Sequence, residues 1–347
     1  MKAAVFHGCK DIRIEDIPAR RPLPGEVTVR IEACGICGTD VHIYEGAEGA
    51  AKTVPPLVLG HEFSGVVLET GDPAGDLKPG DRVCIDPNDM CGGCYYCRRG
   101  MAHFCENMTG IGTTVNGGFS EYCTVRRKQV YKMSDSISFE EGAMTEPLAC
   151  CLHGMDLVNL KQGQTVMILG GGTIGQIMLQ LAKISGAAAV ILSEPVAAKR
   201  LLAAESGADI VVDPLKDDVE GVLGSYGIKT VDAVIECVGR TNTMTDAVRF
   251  AGKGGTVMLF GLTDPGAEIP VKPFDLFKKE ISIKASFINP YTQGRALALL
   301  ESGKIDVKRL IAARIGLEEL PGALESTVKS AGGKIIVTPQ RSSVPVP

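Results

Sequence analysis

The chain has 347 residues, enough for two cores, and its 45% hydrophobic content and 42 glycines suit a globular α/β protein. A net charge of −5 without a concentrated basic face weighs against a nucleic-acid binder. No 18-residue apolar run offers a membrane span, and the N-terminal MKAAVFHGCKDIRIE lacks the apolar core of a secretory signal. Twelve cysteines then fit a reducing cytoplasm, with thiolates committed to metal, better than a disulfide framework.

From residue 1 to about 145 the chain is written in short β-type runs separated by glycine and proline. Strands are expected over 27–31, 63–68 and 82–85, each beside a turn such as Leu23-Pro24-Gly25 or Lys78-Pro79-Gly80-Asp81. So dense a rhythm of strands and turns predicts a β-rich, barrel-like domain. Within it stand Cys37-Gly38-Thr39-Asp40-Val41-His42 and, further on, Gly60-His61-Glu62. A catalytic zinc takes about three protein ligands and keeps one position exchangeable. Cys37 and His61 are the natural pair, with Glu62 adjacent and able to complete or exchange.

Next come Cys91, Cys94, Cys97 and Cys105, spaced C-x2-C-x2-C-x7-C. The tight gaps aim neighbouring sulfurs at one centre, and the long arm brings the fourth round to close a tetrahedron. Four thiolates leave zinc no open position, so this is expected to be a scaffold site. An iron–sulfur cluster is the competing assignment. Its usual runs lack the long arm and carry proline after the last cysteine, where this chain has Glu106.

From about 146 the pattern changes to apolar strands alternating with helices. Strands are expected over 165–169, 189–193, 209–212, 232–237 and 256–261, with helices over 174–185 and 197–205. Such alternation predicts parallel strands joined by crossover helices. Gly170-Gly171-Gly172-Thr173-Ile174-Gly175 satisfies G-x-G-x-x-G where it counts, directly after a strand and opening a helix. Gly170 suits the tight turn, Gly172 the approach of a pyrophosphate and Gly175 close helix packing, while Thr173 and Ile174 start the helix whose free N–H groups face the phosphates. Glu194 ends the second strand, roughly 20 residues on, where a carboxylate binds ribose hydroxyls and favours NAD over NADP. Lys199 and Arg200 stand nearby and bear on that choice. A last helix is expected over 291–302 and a strand over 334–337, followed by a structureless tail, TPQRSSVPVP.

Taken together, C-G-x-x-D-x-H, G-H-E, G-D-R-V, the four-cysteine lobe, E-P-L-A and the glycine turn resemble the zinc-dependent medium-chain alcohol and polyol dehydrogenases over essentially the whole chain. The resemblance implies an α/β fold: a GroES-like β-rich catalytic domain, residues 1–146 completed by 284–347, and a Rossmann doubly wound parallel sheet over 147–283 that binds NAD. It implies two zinc ions, one on Cys37, His61 and Glu62 with Glu146 close by, directly or through water, and one on the four cysteines. Thr39 and His42 resemble a proton relay, and Asp40 the carboxylate that orients the histidine ligand. Glu146 in E-P-L-A marks the polyol branch, whose substrates are small polyols or secondary alcohols. L-Threonine 3-dehydrogenases and simple secondary alcohol dehydrogenases are the nearest alternatives, and a non-catalytic zinc and NAD binder is the alternative of another class. Ile288 stands where sorbitol dehydrogenases carry a substrate-holding arginine, leaving Asn289 and Tyr291 as substitutes. Family members assemble as dimers or tetramers, so a homo-oligomer is expected.

Overall fold

Along Glu26–Gly35 every second side chain is apolar, and Val27, Val29, Ile31 and Ala33 are all fully buried. That alternation anchors the first of two units, residues 1–149 with the described residues from Asn289 on; Cys150–Ile288 form the second. The structure, a computed structural model, describes residues 1–47, 49, 51–73, 75–327 and 333–340.

The first unit opens with β1 (Lys2–Gly8), β2 (Asp11–Asp16) and β3 (Glu26–Gly35), followed by α1 (Gly38–Tyr44) and β4 (Leu57–Val58). It continues with β5 (Glu62–Thr70), β6 (Arg82–Ile85), the short pair β7 (Asn88–Asp89) and β8 (Thr109–Gly110), β9 (Tyr122–Arg126) and β10 (Val130–Lys132). Helices α2 (Phe139–Ala143) and α3 (Thr145–Val158) follow. β3 is the organising strand. It pairs antiparallel with β5 along its length and with β9 along its first half. Phe63, Phe119, Leu59 and Ile31, all essentially inaccessible, fill the core.

The second unit runs β11 (Thr165–Leu169), α4 (Thr173–Ile184), β12 (Ala189–Ser193), α5 (Ala197–Glu205), β13 (Ile210–Val212) and α6 (Val219–Ser225). Then come β14 (Val231–Glu236), α7 (Thr241–Phe250), β15 (Ala251–Leu259), α8 (Pro273–Lys279) and β16 (Ser282–Ala285). All six strands are parallel, in the order β13-β12-β11-β14-β15-β16. The chain starts in the middle, winds outward one way to β13, then returns beside β11 and winds the other way. Loops leaving β11 and β14 therefore diverge, opening a crevice at their carboxyl ends.

The return segment adds α9 (Gln293–Glu301), β17 (Ile311–Gly316), α10 (Leu320–Thr327) and β18 (Lys334–Thr338). β18 pairs with the end of β3 and carries β17 on its far side, enlarging the first unit's sheet.

The strands expected over 82–85 and 189–193 and the helix over 197–205 fall on those residues. The helix expected over 291–302 is shorter, starting at Gln293, because Tyr291 takes a left-handed φ of 59° and the Asn289 side chain is tied to Gln293. Of the tail expected to be structureless, Thr338 closes β18, and residues 341–347 lie outside the described residues. Among the described residues no helix is long and apolar enough to cross a membrane.

Candidate metal and dinucleotide sites

Cys37 is the N-cap residue of α1, and its N–H donates to Asp40 Oδ2 at 2.8 Å, so the helix start is closed by the side chain three residues on. Asp40 is fully buried, and its other oxygen lies 3.4 Å from Nδ1 of buried His61. Cys37, His61 and Glu62 place one ligand atom each within 4.8 Å of one another. Burial alone would lower the His61 pKa, yet the Asp40 and Cys37 side chains raise it well above its ordinary value. A pocket that draws positive charge onto a buried imidazole suits a cation, and the sulfur, nitrogen and oxygen donors suit zinc with a position left open.

Glu62 is not free. Its two carboxylate oxygens accept from the Lys334 ammonium at 2.7 and 2.6 Å, and Lys334 donates its third proton to the Ile36 carbonyl at 3.0 Å. Both side chains are buried. Burial works to lower the Lys334 pKa, and Glu62, followed by Cys37 and Glu146, raises it to a net value above the ordinary lysine. Gly35, opposite Glu62 in the β3–β5 register, makes room for the carboxylate, since a Cβ there would meet Oε2 at 2.2 Å. Sequence reasoning missed Lys334 and Gly35. The one available signal was a lysine opening the apolar run Ile335-Ile336-Val337.

Glu146 is buried at the start of α3 and acts on Lys334, but it is outside the trio that converges within 4.8 Å. Thr39 and His42 lie three apart on α1 and are both half-buried. Asn289 does not serve as the substrate contact considered above. It is fully buried, its carbonyl accepts from Asn88 at 2.6 Å, and its amide is shared between Asp86 and Gln293. Tyr291 is exposed.

The four cysteines converge in the same sense, with ligand sulfurs within 4.8 Å of one another. A zinc tetrathiolate has sulfurs about 3.8 Å apart at its bond length of about 2.3 Å. Backbone N–H groups already point at these sulfurs, Cys91 and Asn107 toward Cys105 Sγ and Gly93 toward Cys91 Sγ. The Gly93 and Cys94 N–H groups lower the Cys91 thiol to about 6, whereas burial and the Cys94 and Cys105 thiols push Cys97 up to about 12. A cation at the centre would favour the thiolate form of all four sulfurs.

In the second unit, Gly170 has φ 101°, and a Cβ on it would press Val238 Cγ2 at 2.7 Å. A Cβ on Gly175 would strike the Gly170 carbonyl, so helix α4 rests directly on the turn. A Cβ on Gly172 meets nothing within 4 Å, which is open space of the kind a phosphate needs. Buried Glu194 accepts from the Gly171 N–H at 2.7 Å and the Val196 N–H at 2.9 Å, so it also shapes the turn. Arg200 is tied to the Glu194 carbonyl and to Asp213, while Lys199 has no carboxylate partner among the described residues.

Residues 23–135 match the alcohol dehydrogenase GroES-like domain, and residues 173–302 match the zinc-binding dehydrogenase domain. D-Arabinitol dehydrogenase 1 of Uromyces fabae is 34% identical over 318 residues, 90% of each chain. The sorbitol dehydrogenase of Ovis aries is 32% identical over 341 residues, covering 96% of this chain and 95% of the relative. The chain belongs to the zinc-dependent medium-chain dehydrogenases. Within that family of oxidoreductases these relatives put it in the polyol branch, although an L-threonine 3-dehydrogenase of Pyrococcus abyssi is 33% identical over 343 residues, 97% of each chain. A solved zinc-binding dehydrogenase from Sinorhizobium meliloti 1021, bound to NADP, superposes with a TM-score of 0.93 at 41% identity, over 97% of this dehydrogenase and 99% of that chain. The expected family and its GroES-like and Rossmann folds are thereby established.

Two outcomes follow from this geometry. Lys334→Met strands a buried carboxylate and is expected to cost about 3–5 kcal/mol, read as a lower urea midpoint; an unchanged midpoint would show that the pair anchors nothing. After chelation of the metal, Cys91 is expected to alkylate first of the four, its rate climbing as pH rises through about 6 because only the thiolate reacts. Peptide mapping by mass spectrometry reads the order.

Proposed function

We propose that this dehydrogenase reversibly oxidises a secondary hydroxyl of a small polyol or sugar alcohol, with NAD as hydride acceptor. The observation that carries the reading is the convergence of Cys37, His61 and Glu62 in a chain whose relatives include D-arabinitol and sorbitol dehydrogenases. Cys37 and His61 would hold the catalytic zinc, Glu62 sharing its carboxylate between the metal and Lys334, and Glu146 standing by. Zinc, when bound, is a Lewis acid that lowers the pKa of a hydroxyl. Asp40 Oδ1 lies 3.4 Å from His61 Nδ1 and would orient the ring, leaving Nε2 as the nitrogen that would serve a metal. Thr39 Oγ1 would accept the substrate's hydroxyl proton as it passes its own toward His42, which would hand a proton to water.

In the same reading Cys91, Cys94, Cys97 and Cys105 hold the second, scaffold zinc. Residues 1–146 with 284–347 make the catalytic domain and 147–283 the NAD domain. Gly170, Gly172, Thr173, Ile174 and Gly175 would cradle the pyrophosphate, and Glu194 would take the ribose. Lys199 is the cation that would meet a 2′-phosphate, which makes NADP the second choice. The dehydrogenase would work in the cytoplasm, as a cysteine-rich chain with thiolates committed to metal suggests. It would assemble with a second copy through β16, one edge strand of the parallel sheet, which carries the exposed Ile283.

Metal analysis is expected to give about two zinc per chain, and Cys37→Ser to remove one zinc together with nearly all NADH formation. A screen over polyols, sugar phosphates, L-threonine and simple alcohols names the substrate; fastest turnover of L-threonine would displace the polyol reading. Ile283→Lys is expected to shift the mass in light scattering to that of one chain, and an unshifted oligomer would move the interface elsewhere.

A further inference from the structure

The carboxyl edge of the parallel sheet holds a second buried carboxylate that no motif marks. Glu236 ends β14 level with Leu169 of β11 and is fully buried. No lysine or arginine pairs with it among the described residues. Neutral donors take that place. Oε1 accepts from the Val238 N–H at 2.8 Å, the Gly239 N–H at 2.9 Å and the Thr243 hydroxyl at 2.7 Å, and Oε2 receives the Gly239 N–H again at 3.2 Å. The Phe260 and Gly261 N–H groups bond to the Glu236 carbonyl, each at 3.0 Å. One residue thus fastens the loop after β14, the first turn of α7 and the loop after β15.

A buried charge without a counter-ion is costly unless hydrogen bonds satisfy it fully. Three donors converge on Oε1, so this one side chain satisfies the N–H groups of two loop residues and a hydroxyl of the next helix. The consequence lies one step away. Val238 is 40% exposed, and its Cγ2 is the atom that a Cβ on Gly170 would strike. Gly170 follows β11 and Val238 follows β14, so the two face each other at the point where the strand order reverses. That is where ligands of open parallel sheets bind.

We propose that Glu236 is a positioning residue for the dinucleotide, its carboxylate holding Val238 and Gly239 as the wall of the crevice opposite the Gly170–Gly175 turn. The inference rests on the reading of that turn as a nicotinamide-dinucleotide site. Glu236→Ala frees the wall, Glu236→Gln keeps one acceptor oxygen and swaps the other for an amide, and Val238→Gly removes the wall side chain while leaving the carboxylate and its donors in place.

The test uses the full-length, zinc-loaded dehydrogenase and NADH fluorescence titration, followed by steady-state kinetics on the preferred substrate. Glu236→Ala is expected to raise the Kd for NADH and the KM for NAD about tenfold, with kcat at saturating NAD within about twofold and zinc content unchanged. Glu236→Gln is expected to fall between Glu236→Ala and the parent. A merely structural role would lower Tm but leave Kd and KM alone below the transition, and that result would overturn the proposal. Should Glu236→Ala not fold, Val238→Gly decides: weaker NADH binding supports the wall and parental affinity rejects it. If the parent chain binds neither NADH nor NADPH, the cofactor reading fails instead, before any variant is compared.

Discussion

The contact on which the metal site depends is the buried ion pair between Lys334 and Glu62. It joins residues 272 apart in the chain and uses every proton of the lysine. Such a pair gains little over a well-packed apolar substitute, because both ions must be taken out of water. Its effect here is on arrangement. The lysine fixes the first residue of β18 against the end of β3, where Gly35 leaves space for the carboxylate, and so holds Glu62 next to His61. A metal ion and an ammonium would then draw on the same two oxygens. As a ligand, Glu62 would bring a charge already partly neutralised by Lys334, which suits a site where one coordination position must exchange easily.

The two metal-binding groups solve opposite electrostatic problems. In the four-cysteine lobe, backbone N–H groups make the first thiolate easy to form, and burial followed by the other sulfurs makes a later one hard. A cation relieves this outright, and four equivalent sulfurs close around it. In the Cys37 group the donors differ in kind and are backed by Asp40 and Lys334, so charge is balanced by neighbours as well as by the metal. The first arrangement suits scaffolding and the second chemistry.

The parallel sheet contributes its own constraint. Because the chain leaves β11 in one direction and β14 in the other, two loops part at one place along the edge. Glutamates shape both sides of that opening. Glu194 binds the N–H of Gly171 within the turn, and Glu236 binds the N–H groups of the opposing loop.

Much of the fold was legible because it repeats on short scales. The strands over 82–85 and 189–193 and the helix over 197–205 follow from hydrophobic period and from glycine and proline punctuation, which act over a few residues. The zinc and dinucleotide motifs are legible for the same reason: the four cysteines span 14 positions, and the other groups sit beside a strand end. What escaped depends on long-range packing. Lys334 reads as the first residue of an ordinary apolar strand until β18 is laid against β3. Asn289 reads as a plausible substrate contact until the return segment buries it on Asp86 and Asn88. Glu236 reads as a polar end to a strand until two loops close over it. Sequence by itself determined the family and which sheet each half builds, and it proposed the residues that would carry the chemistry, since periodicity and ligand spacing are local. Only the tertiary structure decided which buried charges hold those residues in place, because a buried charge finds its partner through packing, at separations that no local pattern encodes.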